Sequence, residues 1–338
     1  MKIQRNRELK LKDPEITLAS EIGLPFERYR ADFRYAEEGN FPSFPLHLDL
    51  DLSTRCNLRC PMCPAGGGGG DLFPGLRVDL PFHLYEMALK EASFYSLPSV
   101  RLGMTGEPLL VKGIEKYVKM AKDYGVLDIS LITNGQLLDR RTSRKLMEAG
   151  LTRLMVSVDA GSPDTYERVR PGGDFSRLLG NLGDFLSERR ALGSELPVLR
   201  VSFVELPENQ EDKDNFLAIF SQLSDYIVFQ DYQDLLSRND GPTKVREGIC
   251  REPFTRLALH ANGGLFPCCS DYGRLYPVGY FPEMSLKEAW DSVGANLTRI
   301  PSGAAHPSCG LCLGTHAPCE SVPSVLGSEW HEGLFSES

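Results

Sequence analysis

Three cysteines at short spacing are the residues of this chain best suited to chemistry. Cys56, Cys60 and Cys63 are separated by three and two residues, and they follow the alternating apolar run 46–52. Thiolates are soft ligands that suit iron–sulfur clusters or zinc. Three neighbouring cysteines can hold three irons of a cubane and leave the fourth iron open, whereas an electron-carrying cluster normally uses four cysteines. The alternative is a zinc site that takes its fourth ligand from elsewhere in the chain.

The spacing Cys-x3-Cys-x2-Cys after a first strand resembles the radical S-adenosylmethionine (SAM) superfamily. The resemblance implies that the open iron binds the amino and carboxylate groups of SAM, and that one electron cleaves SAM to a 5′-deoxyadenosyl radical. The implied cofactors are therefore a SAM-binding 4Fe–4S cluster and SAM. A reducing partner such as flavodoxin or ferredoxin is the expected electron source.

A second group of cysteines lies near the C-terminus, and four of them have ligand-like spacing. These four are Cys250, Cys268, Cys309 and Cys312. The run 257–266 lies between the first two and contains two strand-like stretches about an Asn-Gly-Gly turn, which predicts a hairpin that brings both thiols to one site. A predicted helix at 285–293 precedes the last two. Four cysteines saturate a 4Fe–4S cluster, and a four-cysteine zinc ribbon is the alternative.

This second group resembles the auxiliary-cluster domains of radical SAM enzymes, called SPASM domains or, when shortened, twitch domains. Its opening fits the SPASM pattern, with Gly263 between Cys250 and Cys268, whereas the part after Cys309 lacks a full second set of ligands. The arrangement is similar to that of the radical SAM dehydrogenase that acts on an aminocyclitol in butirosin biosynthesis. The resemblance implies one auxiliary 4Fe–4S cluster rather than two.

Two cysteines, Cys269 and Cys319, are left outside the proposed ligand sets. Because Cys269 adjoins a proposed ligand, its side chain is expected to point elsewhere. Free cysteines are usually small buried apolar residues. The alternative is that Cys319 or Cys269 donates a hydrogen atom, as a radical epimerase requires.

The composition is ordinary for a soluble globular protein, with 41% hydrophobic and 25% charged residues among 338. The net charge of −9 argues against a nucleic-acid backbone as the main partner. No apolar run approaches the ~20 residues needed to span a bilayer. Residues 1–10 carry positive charge without the apolar core of a signal peptide. We therefore expect a cytoplasmic protein with a small-molecule substrate and no nucleic-acid or membrane partner.

The elements that must position the first cysteine group alternate between strand and helix. Strands are predicted at 46–52, 99–103, 128–133, 153–158, 198–204 and 226–229. Helices are predicted at 81–95, around 114–121, and at 141–149, 175–190 and 215–223, with Asp139 as N-cap and Gly150 as the stop of the helix at 141–149. This alternation indicates a parallel sheet, but periodicity does not distinguish an open sheet from a barrel. The resemblance implies a partial (β/α)6 barrel with chemistry at the C-terminal ends of its strands.

The predicted fold class is therefore α/β, a partial (β/α)6 radical SAM barrel with a small C-terminal iron–sulfur domain of twitch or SPASM type. We predict a helical lead-in at 1–45 that packs on the barrel, the barrel at 46–232, and the auxiliary-cluster domain at 233–338. The lead-in looks too short for a separate peptide-recognition domain. Five glycines at 66–70 predict either a mobile loop beside the cluster or a passive spacer.

Residues at predicted strand ends match SAM-binding positions of the superfamily. Gly106 and Glu107 lie in a Met-Thr-Gly-Glu-Pro segment that resembles the family's Gly-Gly-Glu motif, with Thr105 replacing the first glycine. The resemblance implies that this backbone and the Glu107 acid contact the amino group of SAM. Ser157 is similar to the position that contacts the SAM ribose or carboxylate.

Arg170 resembles the arginine that neutralises the SAM carboxylate, a task that suits a guanidinium because its planar fork donates two hydrogen bonds to one carboxylate. Asn134 and Arg200 complete the predicted cofactor-binding set. Taken singly, Asn134 followed by Gly135 is also typical of a turn, and Arg170 of a solvated helix flank. The assignment depends on the order of these residues after Cys63.

The sequence thus predicts a radical SAM enzyme that abstracts hydrogen from a polar small molecule of sugar or aminocyclitol type. Oxidation is the favoured reaction, because a saturated auxiliary cluster can accept the electron that the substrate radical gives up. Epimerisation with a cysteine hydrogen donor, elimination or decarboxylation, and modification of a ribosomal peptide are alternatives. A non-catalytic iron–sulfur or zinc protein is a further alternative, against which the open iron position argues.

Overall fold

The structure is a computed structural model that describes residues 6–63, 77–232, 252–267, 269 and 277–297. The glycine run 66–70 lies outside the described residues, and so do five of the cysteines discussed above. These five are Cys250, Cys268, Cys309, Cys312 and Cys319. The interpretations of these residues therefore stay predictions.

The described strands form one ten-stranded mixed sheet. In chain order they are β1 (Asn6–Lys10), β2 (His47–Leu50), β3 (Ser99–Leu102), β4 (Asp128–Thr133), β5 (Arg153–Ser157), β6 (Val198–Glu205), β7 (Tyr226–Asp231), β8 (Arg256–Leu259), β9 (Gly264–Phe266) and β10 (Gly279–Tyr280). Their spatial order is β1-β7-β6-β5-β4-β3-β2-β8-β9-β10. Strands β2 to β7 pair in parallel, each with the next along the chain. The six predicted parallel strands are confirmed.

Helices follow most of these strands. They are α1 (Pro14–Ile22), α2 (Leu24–Glu37), α3 (Phe82–Phe94), α4 (Ile114–Asp123), α5 (Arg140–Ala149), α6 (Pro163–Val169), α7 (Phe175–Ala191), α8 (Lys213–Phe220) and α9 (Leu286–Leu297). Helix α5 has the predicted caps, because the Asp139 side chain accepts from the Thr142 N–H and Gly150 adopts φ 96°. Helix α6 was not predicted, since its seven residues are too few to show a periodicity. None of the described helices is long and apolar enough to cross a bilayer.

The first 45 residues contribute one strand that the sequence did not predict. Strand β1 has no β-branched or aromatic residue, and it is a strand because it pairs antiparallel with β7. Helix α2 brings Phe26 and Tyr29 into a buried cluster with Val198, Tyr226 and Val228 of the sheet. The lead-in thus covers the beginnings of β6 and β7.

The predicted hairpin is confirmed by the antiparallel pairing of β8 and β9. Strand β8 also pairs in parallel with β2, so the hairpin continues the barrel sheet rather than standing apart from it. This pairing was not predicted, because it joins residues about two hundred positions apart in the sequence. Strand β8 therefore lies directly beside the strand that leads into the first cysteine group.

The two faces of the sheet differ in chemistry because successive side chains of a strand point to opposite sides. On one face, residues such as Leu131, Val156 and Val201 are fully buried in the main hydrophobic core. The other face, called the inner face below, carries polar side chains on most of its strands. Its charged members on the strands are Glu8, Lys10, His47, Asp49, Arg101, Asp128, Arg153, Arg200 and Arg256. The inner face is therefore the place where the strands can meet a polar ligand.

Candidate functional site

The cysteine loop leaves the C-terminal end of β2 and is held by the segment that follows β3. A Cβ atom at Gly106 would lie 2.1 Å from the Ser53 carbonyl oxygen and 2.5 Å from that of Arg55. The Glu107 N–H donates to the same Arg55 carbonyl at 2.7 Å. Gly106 is therefore required for the close approach of the two backbones, a role that the sequence motif did not reveal.

Two further segments fix the cysteine loop. The Thr54 N–H donates to the Val78 carbonyl at 3.0 Å, and the Arg59 N–H donates to the Pro171 carbonyl at 2.9 Å. Asp79 accepts a hydrogen bond from the Arg55 Nε at 3.0 Å. The loop is thus attached on three sides by backbone and charge-assisted hydrogen bonds, which pre-organises its thiols.

The three thiols of the loop lie in a largely dry environment. Cys60 is buried, and Cys56 and Cys63 are half-buried. Burial raises the pKa of the Cys60 thiol to about 11, and the Arg170 guanidinium opposes this rise. Burial also raises the pKa of Cys56. A bound metal overcomes this cost, because it deprotonates a coordinating thiol.

Donors of the protein point at two of these sulfur atoms. The Leu58 N–H lies 3.4 Å from Cys56 Sγ, and the Asn134 Nδ2 lies 3.9 Å from the same atom. Arg170 Nη1 lies 3.8 Å from Cys60 Sγ. Hydrogen bonds to cluster sulfurs favour the reduced, more negative state and so tune its potential.

The donor set fits a cubane better than a single ion. Cys56 and Cys63 lie close enough to Cys60 to disfavour its ionisation electrostatically. Yet no group of three or more His, Cys, Asp or Glu side chains in the described residues converges on one metal-ion position. A cubane has no need of such convergence, because each iron takes its own thiolate. The three cysteines are the residues that would hold the cluster.

Glu107 is buried, and its carboxylate accepts hydrogen bonds from other residues of the protein. Its carboxylate accepts from Thr133 Oγ1 at 2.7 Å, from the Asn134 N–H at 2.8 Å and from the Leu109 N–H at 3.0 Å. Burial raises the pKa of Glu107, and these hydrogen bonds limit the rise. The side chain thereby ties the segment after β3 to the end of β4. The predicted contact with the SAM amino group stays a prediction.

Arg170 is buried at the end of α6, so the alternative of a solvated helix flank is wrong. Its guanidinium donates to the Asp159 carboxylate and, through Nε, to the Val158 carbonyl at 3.1 Å. Asp159 in turn accepts from the Val204 N–H at 2.8 Å. The sequence analysis missed this role of Asp159, although its place just after β5 is a signal that could have identified it. The SAM-carboxylate role of Arg170 stays a prediction.

The remaining predicted cofactor-binding residues separate into two places. Asn134 follows β4 and donates to Asn57 Oδ1 of the cysteine loop at 2.9 Å, and Ser157 ends β5, half-buried on the inner face. Arg200 is the third residue of β6, and its charged neighbours are Glu8, Arg101 and Arg153 rather than any residue of the cysteine loop. Arg200 is therefore set apart from the others.

Cys269 lies against the inner face. Its thiol is within hydrogen-bond reach of the Arg101 guanidinium, which Asp49 also contacts at 2.7 Å. Cys269 is the only cysteine of the second group among the described residues, and it lies on the same face as Arg101. The expectation that its side chain points away from the ligand set stays a prediction.

These observations define a class of protein: a parallel α/β sheet whose strand ends support an iron–sulfur cluster with an open corner. Residues 50–190 match the Radical SAM superfamily, and residues 250–313 match SPASM, an iron–sulfur cluster-binding domain. The chain is 35% identical over 277 residues to GTP 3′,8-cyclase of Pelotomaculum thermopropionicum, which covers 67% of this chain and 81% of that relative. The chain therefore belongs to the radical SAM superfamily and carries a SPASM domain.

Other relatives match a smaller part of the chain. It is 30% identical over 165 residues to a probable GTP 3′,8-cyclase of Methanocaldococcus jannaschii, covering 49% of this chain and 51% of the relative. The chain spans about half the length of the first curated relatives that it matches. SuiB of Streptococcus suis, solved with its precursor peptide SuiA, shares the fold with a TM-score of 0.57 at 16% identity, covering 78% of this chain and 68% of SuiB.

Family membership identifies the cofactors. Radical SAM and SPASM domains carry a SAM-binding 4Fe–4S cluster and an auxiliary cluster, and a structural neighbour with a TM-score of 0.56 was crystallised with SAM. The predicted cofactors are thus confirmed, and the zinc alternatives are not supported. The assignment of individual cysteines to each cluster stays a prediction.

Proposed function

We propose that this enzyme oxidises a polar small molecule of sugar type, with the auxiliary cluster as electron acceptor. When bound, the SAM cluster supplies a 5′-deoxyadenosyl radical that removes one hydrogen atom from the substrate. An alcohol that has lost one hydrogen atom becomes a ketone once it has also lost one proton and one electron. The observation that carries the proposal is the contact between Cys269 and Arg101, because it places a residue that adjoins a proposed auxiliary ligand at the inner face.

In this proposal the residues of the chain have separate tasks. Cys56, Cys60 and Cys63 hold the SAM cluster, and Asn134 and Arg170 donate toward their sulfur atoms. The polar inner face binds the substrate between the two cysteine groups. The four ligand-like cysteines of the SPASM region hold the electron acceptor, as predicted from their spacing.

A second candidate is a radical rearrangement that leaves the oxidation state of the substrate unchanged. It is favoured by the relative with 35% identity, which is named a GTP 3′,8-cyclase. Epimerisation is a further candidate, since the Cys269 thiol lies on the inner face, where a hydrogen donor is needed. Modification of a peptide is favoured by fold alone, through SuiB.

We further propose that a flavodoxin or ferredoxin delivers the electron and that the protein is cytoplasmic. The cysteines occur in ligand-like groups, a usage that favours a reducing compartment.

The first test is reductive cleavage of SAM. Anaerobically reconstituted protein with dithionite and SAM is expected to form 5′-deoxyadenosine, and Cys60→Ala is expected to form none and to bind about four fewer irons per chain. Cys269→Ala is the matched thiol control and keeps the full iron content. Absence of 5′-deoxyadenosine from the wild-type protein would contradict every radical outcome.

The second test distinguishes those outcomes by the mass of the product. Sugars, sugar phosphates and GTP are incubated with the active protein in deuterated water. A product that is lighter by two hydrogen atoms supports oxidation. A product of unchanged mass without solvent deuterium supports rearrangement, and one with solvent deuterium that disappears in Cys269→Ala supports epimerisation through that thiol.

A further inference from the structure

Arg200 is an arginine of the inner face with no carboxylate partner among the described residues. Its Nε atom is buried and makes no hydrogen bond in that part of the chain. Burial lowers the pKa of Arg200, and Arg101 and Arg153 lower it further, whereas Tyr226 and Glu8 oppose this shift. A guanidinium is rarely shifted in this direction, because proteins normally pair a buried cation with an anion.

The carboxylates around Arg200 are engaged elsewhere or do not bond to it. Glu8 of β1 acts on Arg200 electrostatically but forms no salt bridge with it. Asp49 is shared between Arg101 at 2.7 Å and Arg256 at 3.5 Å, and Arg256 also contacts Glu252. Arg200 is therefore the arginine of the inner face that forms no salt bridge within the described residues.

Arg153 shows what a completed pair looks like on the same face. Its guanidinium contacts Asp128 at 3.0 Å and Glu15 of α1 at 3.0 Å. An inner-face arginine that supports the fold is thus paired with carboxylates. Arg200 lies on the next strand and forms no such pair, which raises the free energy of the folded state unless a ligand supplies the negative charge.

Arg200 is not fully enclosed. Its side chain and those of Met155, Ser157 and Val204 on the same face are half-buried, whereas Ser202 beside it on β6 is buried. Arg200 pairs in register with Met155, and Ser202 pairs with Ser157 at the strand end. Arg200 therefore lies two residues, or about 7 Å, below the level of Ser157.

We propose that Arg200, together with Arg101, binds an anionic oxygen group of the substrate, a phosphate or a carboxylate. A guanidinium donates two parallel hydrogen bonds to such a group, and the low-dielectric surroundings strengthen the pair. A molecule held there by its anionic end would extend along the strands toward their C-terminal ends. This inference rests on the proposed function for its substrate, and it replaces the SAM contact predicted for Arg200.

The charge of the substrate follows from this assignment. A free aminocyclitol carries an ammonium group, which the arginines of the inner face would repel. A sugar phosphate or sugar acid carries a negative charge, which can pair with Arg200. The aminocyclitol part of the sequence-based expectation is therefore the less favoured one.

The test is anion binding by the reconstituted holoenzyme, followed by thermal unfolding and calorimetric titration. Inorganic phosphate and pyrophosphate probe one source of the anion, and citrate probes the other. We expect wild-type protein to bind at least one of these classes and to unfold at a higher temperature in its presence. Arg200→Met is expected to bind about tenfold more weakly or worse, and Arg200→Lys to retain part of the affinity.

A matched control distinguishes the site from general charge. Arg144→Met removes an arginine from the exposed surface of α5 and is expected to bind the anion as the wild type does. A second readout distinguishes binding from a structural role. Arg200→Met without anion is expected to unfold at the same temperature as the wild type or a higher one, because it removes an uncompensated cation.

Each outcome decides the proposal. Binding of phosphates or of citrate that is lost in Arg200→Met and kept in Arg144→Met supports it and identifies the source. Failure of wild-type protein to bind any of the three probes, or unchanged binding by Arg200→Met, overturns it. If Arg200→Met does not fold, the comparison of wild type with Arg200→Lys still decides. Formation of 5′-deoxyadenosine is measured separately, so a failure of the proposed function is recognised independently.

Discussion

The strand-end level and the mid-strand level of the inner face contain similar residues but differ in how their charges are paired. At the strand ends, Arg170 has Asp159, Arg55 has Asp79, and Glu107 has three donors. Two residues below Ser157, Arg200 forms no salt bridge among the described residues. The charges of the upper level are thus paired within the described residues, whereas at the lower level Arg200 is not paired.

This difference shows how to distinguish a supporting charge from a binding charge. A paired buried charge is destabilising to break, because its partner remains buried alone. An unpaired buried charge already lowers the stability of the fold. Its removal is therefore expected to leave the free energy of unfolding unchanged and to lower the affinity for the ligand. For the same reason, the residues around the cysteine loop can hold their positions before a cofactor binds, because their charges are paired within the protein.

The largest effect is expected when the upper pair is broken. Asp159→Asn leaves the buried Arg170 without its carboxylate and weakens the acceptor of the Val204 N–H. We expect a loss of about 3–5 kcal/mol in the free energy of unfolding, measured by urea titration. Asp164→Asn, on the exposed side of α6, is the control and should change stability by less than about 0.5 kcal/mol. Equal effects of the two variants would mean that the two levels do not differ in pairing.

A smaller effect is expected from crowding the contact that holds the cysteine loop. Gly106→Ala places a methyl group against the carbonyl oxygens of Ser53 and Arg55, and it should cost about 1–3 kcal/mol and lower the iron content. Gly180→Ala in α7 meets no atom within 4 Å and should instead stabilise by about 0.5–1 kcal/mol. Unfolding and iron analysis on both variants check this. Normal iron content in Gly106→Ala would show that the loop does not need this close approach.

The smallest effect concerns how the stability that Asp128 contributes, through its pair with Arg153, depends on pH. Burial disfavours the charge of Asp128, but the Arg153 guanidinium and the Thr152 hydroxyl outweigh it and hold the pKa of Asp128 below its usual value. The ionised carboxylate thus contributes stability above its unfolded pKa of about 4, and this is lost as pH falls through the folded pKa.

Asp128→Asn tests that contribution. It should cost about 1–3 kcal/mol at neutral pH, where Glu15 still partners Arg153, and its stability should fall less steeply than that of the wild type below about pH 4. Urea unfolding over a pH series measures the effect, and Asp123→Asn on the exposed side of α4 should retain the wild-type profile. If the stability of Asp128→Asn depends on pH as that of the wild type does, then the pairing of Arg153 does not distinguish it from Arg200.

Local patterns predicted the framework closely. Strand β4 has the predicted limits, helix α5 has the predicted caps, and the hairpin of β8 and β9 is present. These features depend on side chains within one turn or one strand pair, so their signals lie next to each other in the sequence. Strand β1 and the pairing of β8 with β2 gave no such signal, because their hydrogen-bond partners lie far away in the chain.

The sequence by itself determined the chemistry that is available, since the spacing of Cys56, Cys60 and Cys63 limits which metal group they can hold. Alternation along the strands also determined which residues share a face. Only the tertiary structure decided which charges on that face are paired, that Arg170 meets Asp159 and that Arg200 forms no salt bridge among the described residues. The reason is physical: a side chain's direction follows from its own strand, whereas electrostatic pairing depends on distances between strands that the chain brings together only when it folds.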